Sequence, residues 1–162
     1  MKTQNKTKSA KINKESVGLA GEYAVASELC KRGFYAQLTL GNHKKTDLIV
    51  ESNNKLFRVS VKSKQGSTWP KVTGIWAPGD LLVFVDFEGK SNDERPDFYV
   101  LGVDQWKSLV KKLHKSMKEA KIDRNTNTLY WESSEENGKD WRGCSIRVRD
   151  IQDYIRCWPI PS

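Results

Sequence analysis

The sequence predicts a mixed α/β domain built around a central sheet. Three observations carry this expectation. Residues 17–30 repeat apolar side chains at three- and four-residue steps, which is a helical period. Residues 55–63 alternate instead, with Phe57, Val59 and Val61 on one face and Arg58, Ser60 and Lys62 on the other. Leu81–Phe87 is apolar nearly throughout, the pattern of a strand covered on both faces. The chain has 162 residues, enough for one ordinary domain with an appended segment.

The elements follow in order. Residues 1–14 (MKTQNKTKSAKINK) are nearly devoid of apolar side chains and read as a disordered basic tail. Leu19, Tyr23, Ala26, Leu29 and Cys30 mark the expected apolar stripe of the first helix, which Gly33 ends after the basic pair Lys31–Arg32. Phe34, Ala36, Leu38 and Leu40 alternate as a strand, residues 41–45 form a loop, and Thr46–Glu51 reads as a second strand. Asn53-Asn54 is a tight-turn signal because asparagine tolerates positive φ. Lys55–Ser63 is then the third strand.

Residues 64–79 hold two prolines and three glycines and read as a loop. Strands at Leu81–Phe87 and Asp97–Val103 follow. Asp104 is the expected cap of a helix whose stripe is Trp106, Leu109, Val110, Leu113 and Met117, with Lys107, Lys111, Lys115 and Lys118 on its other side. Leu129–Trp131 fits a short strand, and Ile151–Trp158 a final helical turn. The order is αβββ, loop, ββα. It divides the chain into the tail 1–14, a core with its following helix over 15–121, and a C-terminal extension over 122–162 packed on the core.

Composition narrows the function classes. No apolar run approaches the ~20 residues that span a bilayer. The N-terminal lysines have no apolar stretch behind them, so no secretory signal is expected. Cys30, Cys144 and Cys157 are odd in number and form no CxxC pair, which argues against a disulfide scaffold or zinc ribbon and for a reducing cytoplasm. The net charge is +8, and Lys2, Lys6, Lys8, Lys11 and Lys14 supply about half of it. That balance suits a polyanion, nucleic acid before membrane, although a merely solubilising tail has the same composition. Gly89-Lys90-Ser91 is a turn and not a phosphate loop, because the motif needs glycine where Phe84 stands. His43 and His114 are isolated.

The informative constellation is the second hairpin. With Asn53-Asn54 as a two-residue turn, Ser52 faces Lys55 and Asp47 falls opposite Ser60, Cβ atoms ~5 Å apart. Lys62 lies two residues further on the same face, while Leu48, Val50, Phe57, Val59 and Val61 cover the opposite, buried face. Glu22 falls within the expected stripe of the first helix, whereas Glu28 points elsewhere. A carboxylate there needs a cationic partner or a metal. A plain ion pair with Lys62 is the simpler alternative.

A helix with a glutamate, then Thr46-Asp47-Leu48-Ile49-Val50, a turn, and Phe57-Arg58-Val59-Ser60-Val61-Lys62 resembles the PD-(D/E)XK nuclease superfamily, in its Holliday-junction-resolvase and small prokaryotic endonuclease branches. The resemblance covers roughly residues 16–103. It implies a restriction-endonuclease-like core, with Asp47, Glu22 and the backbone carbonyl of Val61 as ligands of Mg²⁺ or Mn²⁺. It further implies Lys62 beside the attacking water and Ser60 at the second acidic position. Thr46 replaces the family's proline, and Ser60 replaces an acid, a weaker donor for a hard cation. Arg58, Lys44, Lys45, Lys64 and Trp69 are the expected nucleic-acid contacts. The implied activity is metal-dependent hydrolysis of DNA phosphodiester bonds. The alternative is a degenerate nuclease fold that binds DNA without cleaving it. A module that docks its basic tail on an acidic protein is a third option, and RNA as substrate and a homodimer stay open.

Overall fold

The computed structural model describes residues 11–39 and 46–160. Most of the basic tail and the segment with His43, Lys44 and Lys45 lie outside the described residues. Helix α1 (Lys14–Lys31) starts at Asn13, whose side chain accepts from the Ser16 N–H at 2.8 Å. Strands β1 (Tyr35–Leu38), β2 (Leu48–Ser52), β3 (Lys55–Lys64) and β4 (Trp69–Val72) follow. Then come β5 (Asp80–Asp86), β6 (Asp97–Gly102) and helix α2 (Val103–His114). The C-terminal part holds β7 (Lys121–Asp123), β8 (Thr128–Trp131), β9 (Trp141–Arg142), β10 (Cys144–Ile146) and α3 (Val148–Ile151), which runs into a 3₁₀ turn at Gln152–Tyr154.

The fold is mixed α/β, with a central mixed sheet in the order β1-β2-β3-β5-β6 flanked by helices. Only β3 and β5 run parallel; the other neighbours are antiparallel. The β2–β3 hairpin has the expected register, with Ser52 opposite Lys55 and Leu48 opposite Val59. Asn53 and Asn54 both take positive φ (49° and 58°), which matches the turn to the twist of the strands. One core lies between α1 and the sheet, with Val25 and Leu29 on Leu48, Val50, Val59, Val61 and Val83. The other lies on the opposite face, where Trp69, Leu82, Phe84 and Trp106 meet Leu129, Ile146 and Ile151 from the C-terminal part.

Several expectations need correction. The sheet-facing side of α1 is Val17, Gly21, Val25 and Leu29, not the stripe through Leu19 and Tyr23, which are 50% and 58% exposed. Gly21 decides this. A Cβ there would collide with Ser63 Oγ and sit 2.9 Å from Ser63 Cβ, so the helix makes its close approach to β3 at a position without a side chain. Glu28 is therefore buried, held by Arg32 (2.8 Å), Lys31 (3.3 Å) and Arg95. Burial pushes its carboxyl up, but those hydrogen bonds and charges outweigh burial and hold it below the ordinary value.

The stretch 64–79 is not all loop. Its Trp69–Val72 segment pairs with β10, Trp69 opposite Ile146 and Val72 opposite Cys144. A two-stranded ribbon tolerates Pro70 because an edge strand can spare one donor. Helix α2 begins one residue before Asp104. Gly102 occupies the N-cap, and its N–H donates to Gln105 Oε1 at 2.6 Å. The last helical turn ends at Tyr154; beyond it Ile155 bridges to Tyr99 and Ile160 is buried against the α1-side core. Among the described residues, no helix is long and apolar enough to cross a membrane.

Candidate functional site

Asp47 sits just ahead of β2, where the hairpin opens. Its own N–H donates to the Val59 carbonyl at 2.9 Å, and its carboxylate Oδ2 accepts from the Val61 N–H at 2.6 Å. The side chain thus replaces a main-chain acceptor that β2 no longer offers. Thr39 ties the same point to the end of β1: its hydroxyl donates to the Thr46 carbonyl at 2.6 Å and its N–H to the Asp47 carbonyl at 2.9 Å. A β residue sends its N–H and C=O to the same side of the strand. The Val61 carbonyl therefore leaves β3 on the Asp47 side.

Glu22 arrives from α1. Because Gly21 rests against Ser63 and Val61 Cγ1, the next residue is carried to the same stretch of β3. Glu22 is half-buried, and its carboxyl is raised above the ordinary 4.5. Burial is the main cause; the charge of Asp47 adds to it, and Lys62 pulls partly the other way. Two carboxylates and one ammonium therefore share an electrostatic neighbourhood at the end of the β2–β3 hairpin.

Ser60 and Lys62 alternate with the buried Val59 and Val61, so they face away from α1. With Arg58 and Leu82 they line a cleft closed on its far side by Thr73, Gly74, Ile75 and Trp76. Arg58 donates to Asp80 Oδ1 through Nε (2.9 Å) and Nη2 (2.8 Å), while its side chain stays half exposed. Asp80 in turn accepts from the Ala77 N–H at 3.0 Å.

Two expected nucleic-acid contacts are elsewhere. Lys64 is buried, and its ammonium is committed to Asp86 (2.7 Å), Glu88 (2.8 Å) and the Gly66 carbonyl (2.9 Å), which uses its three donors. Trp69 is 1% exposed, packed edge-on against Phe84 with its Nε1–H on the Val85 carbonyl at 3.2 Å. Neither has a face left for a phosphate or a base. Lys44 and Lys45 lie outside the described residues. The residues that sequence reasoning passed over are Asp80 and Trp76. Nothing in the sequence separates Trp76 from Trp69, since both stand in the same glycine- and proline-rich stretch.

No family model matches the chain, and no curated protein matches it. Among solved structures, a bacterial homing endonuclease, I-Ssp6803I, is similar at a TM-score of 0.49 and 18% identity, over 91% of each chain. At that level of similarity no residue role transfers.

Proposed function

We propose that the chain is a divalent-metal-dependent endonuclease that hydrolyses DNA phosphodiester bonds. One observation carries the reading: the Asp47 carboxylate, fixed by the Val61 N–H, shares its field with the half-buried carboxyl of Glu22 and the Lys62 ammonium. A half-buried carboxyl whose proton affinity is raised by burial and by the charge of Asp47 is placed to share a cation with it. The donors are hard oxygens from Asp47, Glu22 and the Val61 carbonyl, which suit Mg²⁺ or Mn²⁺.

A divalent ion there would supply charge for a phosphodiester oxygen and lower the pKa of a nearby water. The protein's own part is positional. The Val61 N–H fixes one oxygen of Asp47 and so sets the direction of its remaining lone pairs. Lys62 brings positive charge to developing phosphate charge, and the Ser60 hydroxyl can orient water. Arg58, half exposed on the cleft floor, holds a neighbouring phosphate.

A second reading is favoured by Ser60, a neutral hydroxyl at the position where the resemblance to PD-(D/E)XK nucleases calls for the second acid. On that reading the chain binds DNA through Arg58 and Lys62 and does not cut. Nicking of supercoiled plasmid, with Mg²⁺ or Mn²⁺ and with chelator, tests the choice. The nuclease reading expects nicked product that requires metal and is lost in Asp47→Asn. Equal product in Asp47→Asn would refute it, and binding without nicking would select the second reading.

A further inference from the structure

The cleft beside Lys62 has a wall that is fastened more firmly than an ordinary loop. The Gly74 N–H donates to Thr128 Oγ1 at 3.0 Å, and Asn127 Nδ2 donates to the Ile75 carbonyl at 2.8 Å. Trp106 Nε1 holds the Asn127 carbonyl at 2.7 Å, so the clamp is tied to the second core. Asp80 fixes the next turn through Ala77 while also holding Arg58 on the floor. Gly74 lies so close to the Thr126 and Asn127 carbonyls that a Cβ would strike both.

On this fixed wall stands Trp76, 37% exposed and bordering the same cleft as Arg58, Ser60 and Lys62. A tryptophan held with part of its surface open, across from two cations, has the composition of a strand-binding groove: charge for the backbone and an aromatic surface for the bases. Arg58 and Lys62 are spread over ~13 Å of β3, which suits a run of phosphates better than a single one.

We propose that this cleft seats one nucleic-acid strand, with Trp76 as the aromatic contact to a base or sugar beside the scissile phosphate and the 73–77 wall as its rigid mount. The proposal rests on the nuclease reading and adds a strand-positioning residue to it. Part of the C-terminal extension, through Asn127 and Thr128, then shapes the groove.

The test is fluorescence anisotropy of labelled single-stranded and duplex oligonucleotides, titrated with the full chain in chelator so that nothing is cut. Trp76→Ala should raise the Kd at least fivefold for one of the two forms, with the salt slope unchanged because no charge is removed. Trp76→Phe should restore most of the affinity, which a merely structural role would not require. If the alanine variant does not fold, Trp76→Gln takes its place beside Trp76→Phe. Binding within twofold of the unsubstituted chain in Trp76→Ala would overturn the proposal and leave the nuclease reading standing. Failure of the unsubstituted chain to bind either oligonucleotide would overturn both.

Discussion

The Asp47 carboxylate accepts the Val61 N–H at 2.6 Å, a side chain standing in for a strand. This bond fixes the acid at the mouth of the hairpin. The Val61 carbonyl leaves β3 on the same side, and the charge of Asp47 reaches Glu22 on α1. The consequences can be measured one at a time.

Glu22 should weaken the fold when ionised. Its folded-state carboxyl lies above the ordinary 4.5, because of burial first and Asp47 second. The folded chain then holds a proton that the unfolded chain has released. Stability therefore falls as pH rises through the window that opens near 4.5, and the loss stays constant above the folded value. Glu22→Gln should melt higher than the unsubstituted chain at pH 7 in chelator and match it below about pH 4. Equal melting temperatures at pH 7 would remove the electrostatic coupling on which the site is built.

Lys62 and Lys64, two residues apart on β3, should behave oppositely. Lys64→Ala leaves Asp86 buried without its cation and should cost about 3 kcal/mol of stability, read from denaturant midpoints. Lys62→Ala should lower DNA affinity and reduce the log–log salt slope by about 0.9, the share of one phosphate contact. A reduced slope in folded Lys64→Ala would mean that this lysine meets DNA after all.

Ser60→Glu should supply the acid that the resemblance calls for on β3. Added negative charge close to Asp47 is repulsive without a cation, so the variant should melt lower in chelator and recover with Mg²⁺ or Mn²⁺. Any nicking activity should rise with it. A thermal shift that ignores metal in this variant would argue against a cation site at the hairpin mouth.

Much of the hairpin was legible because its determinants are local. Asn53-Asn54 fixes the register, which holds from Ser52 opposite Lys55 to Leu48 opposite Val59. Ahead of Leu48 the Asp47 N–H turns to the Val59 carbonyl, while Ser60 and Lys62 face the cleft. The face of α1 was not legible. Leu19 and Tyr23 are the larger apolar residues, yet the sheet takes the side with Gly21, because close approach to Ser63 depends on a missing side chain rather than on hydropathy. Glu28 looked solvent-facing for the same reason, and three cations make its burial tolerable. Strand β4 was hidden because its partner, β10, lies far along the chain. That pairing buries Trp69, an expected nucleic-acid contact, and leaves Trp76 bordering the cleft.

The central claim is that Glu22 and Asp47 hold one divalent cation together. Titration of the full chain with Mn²⁺, following the loss of the free-ion electron paramagnetic resonance signal, tests it without reference to any substrate. The account predicts one Mn²⁺ bound per chain, competed by Mg²⁺, with affinity at least tenfold weaker in Glu22→Gln and in Asp47→Asn, and no binding when both are changed. Unaltered Mn²⁺ binding in the doubly substituted chain, or none in the unsubstituted one, would contradict it.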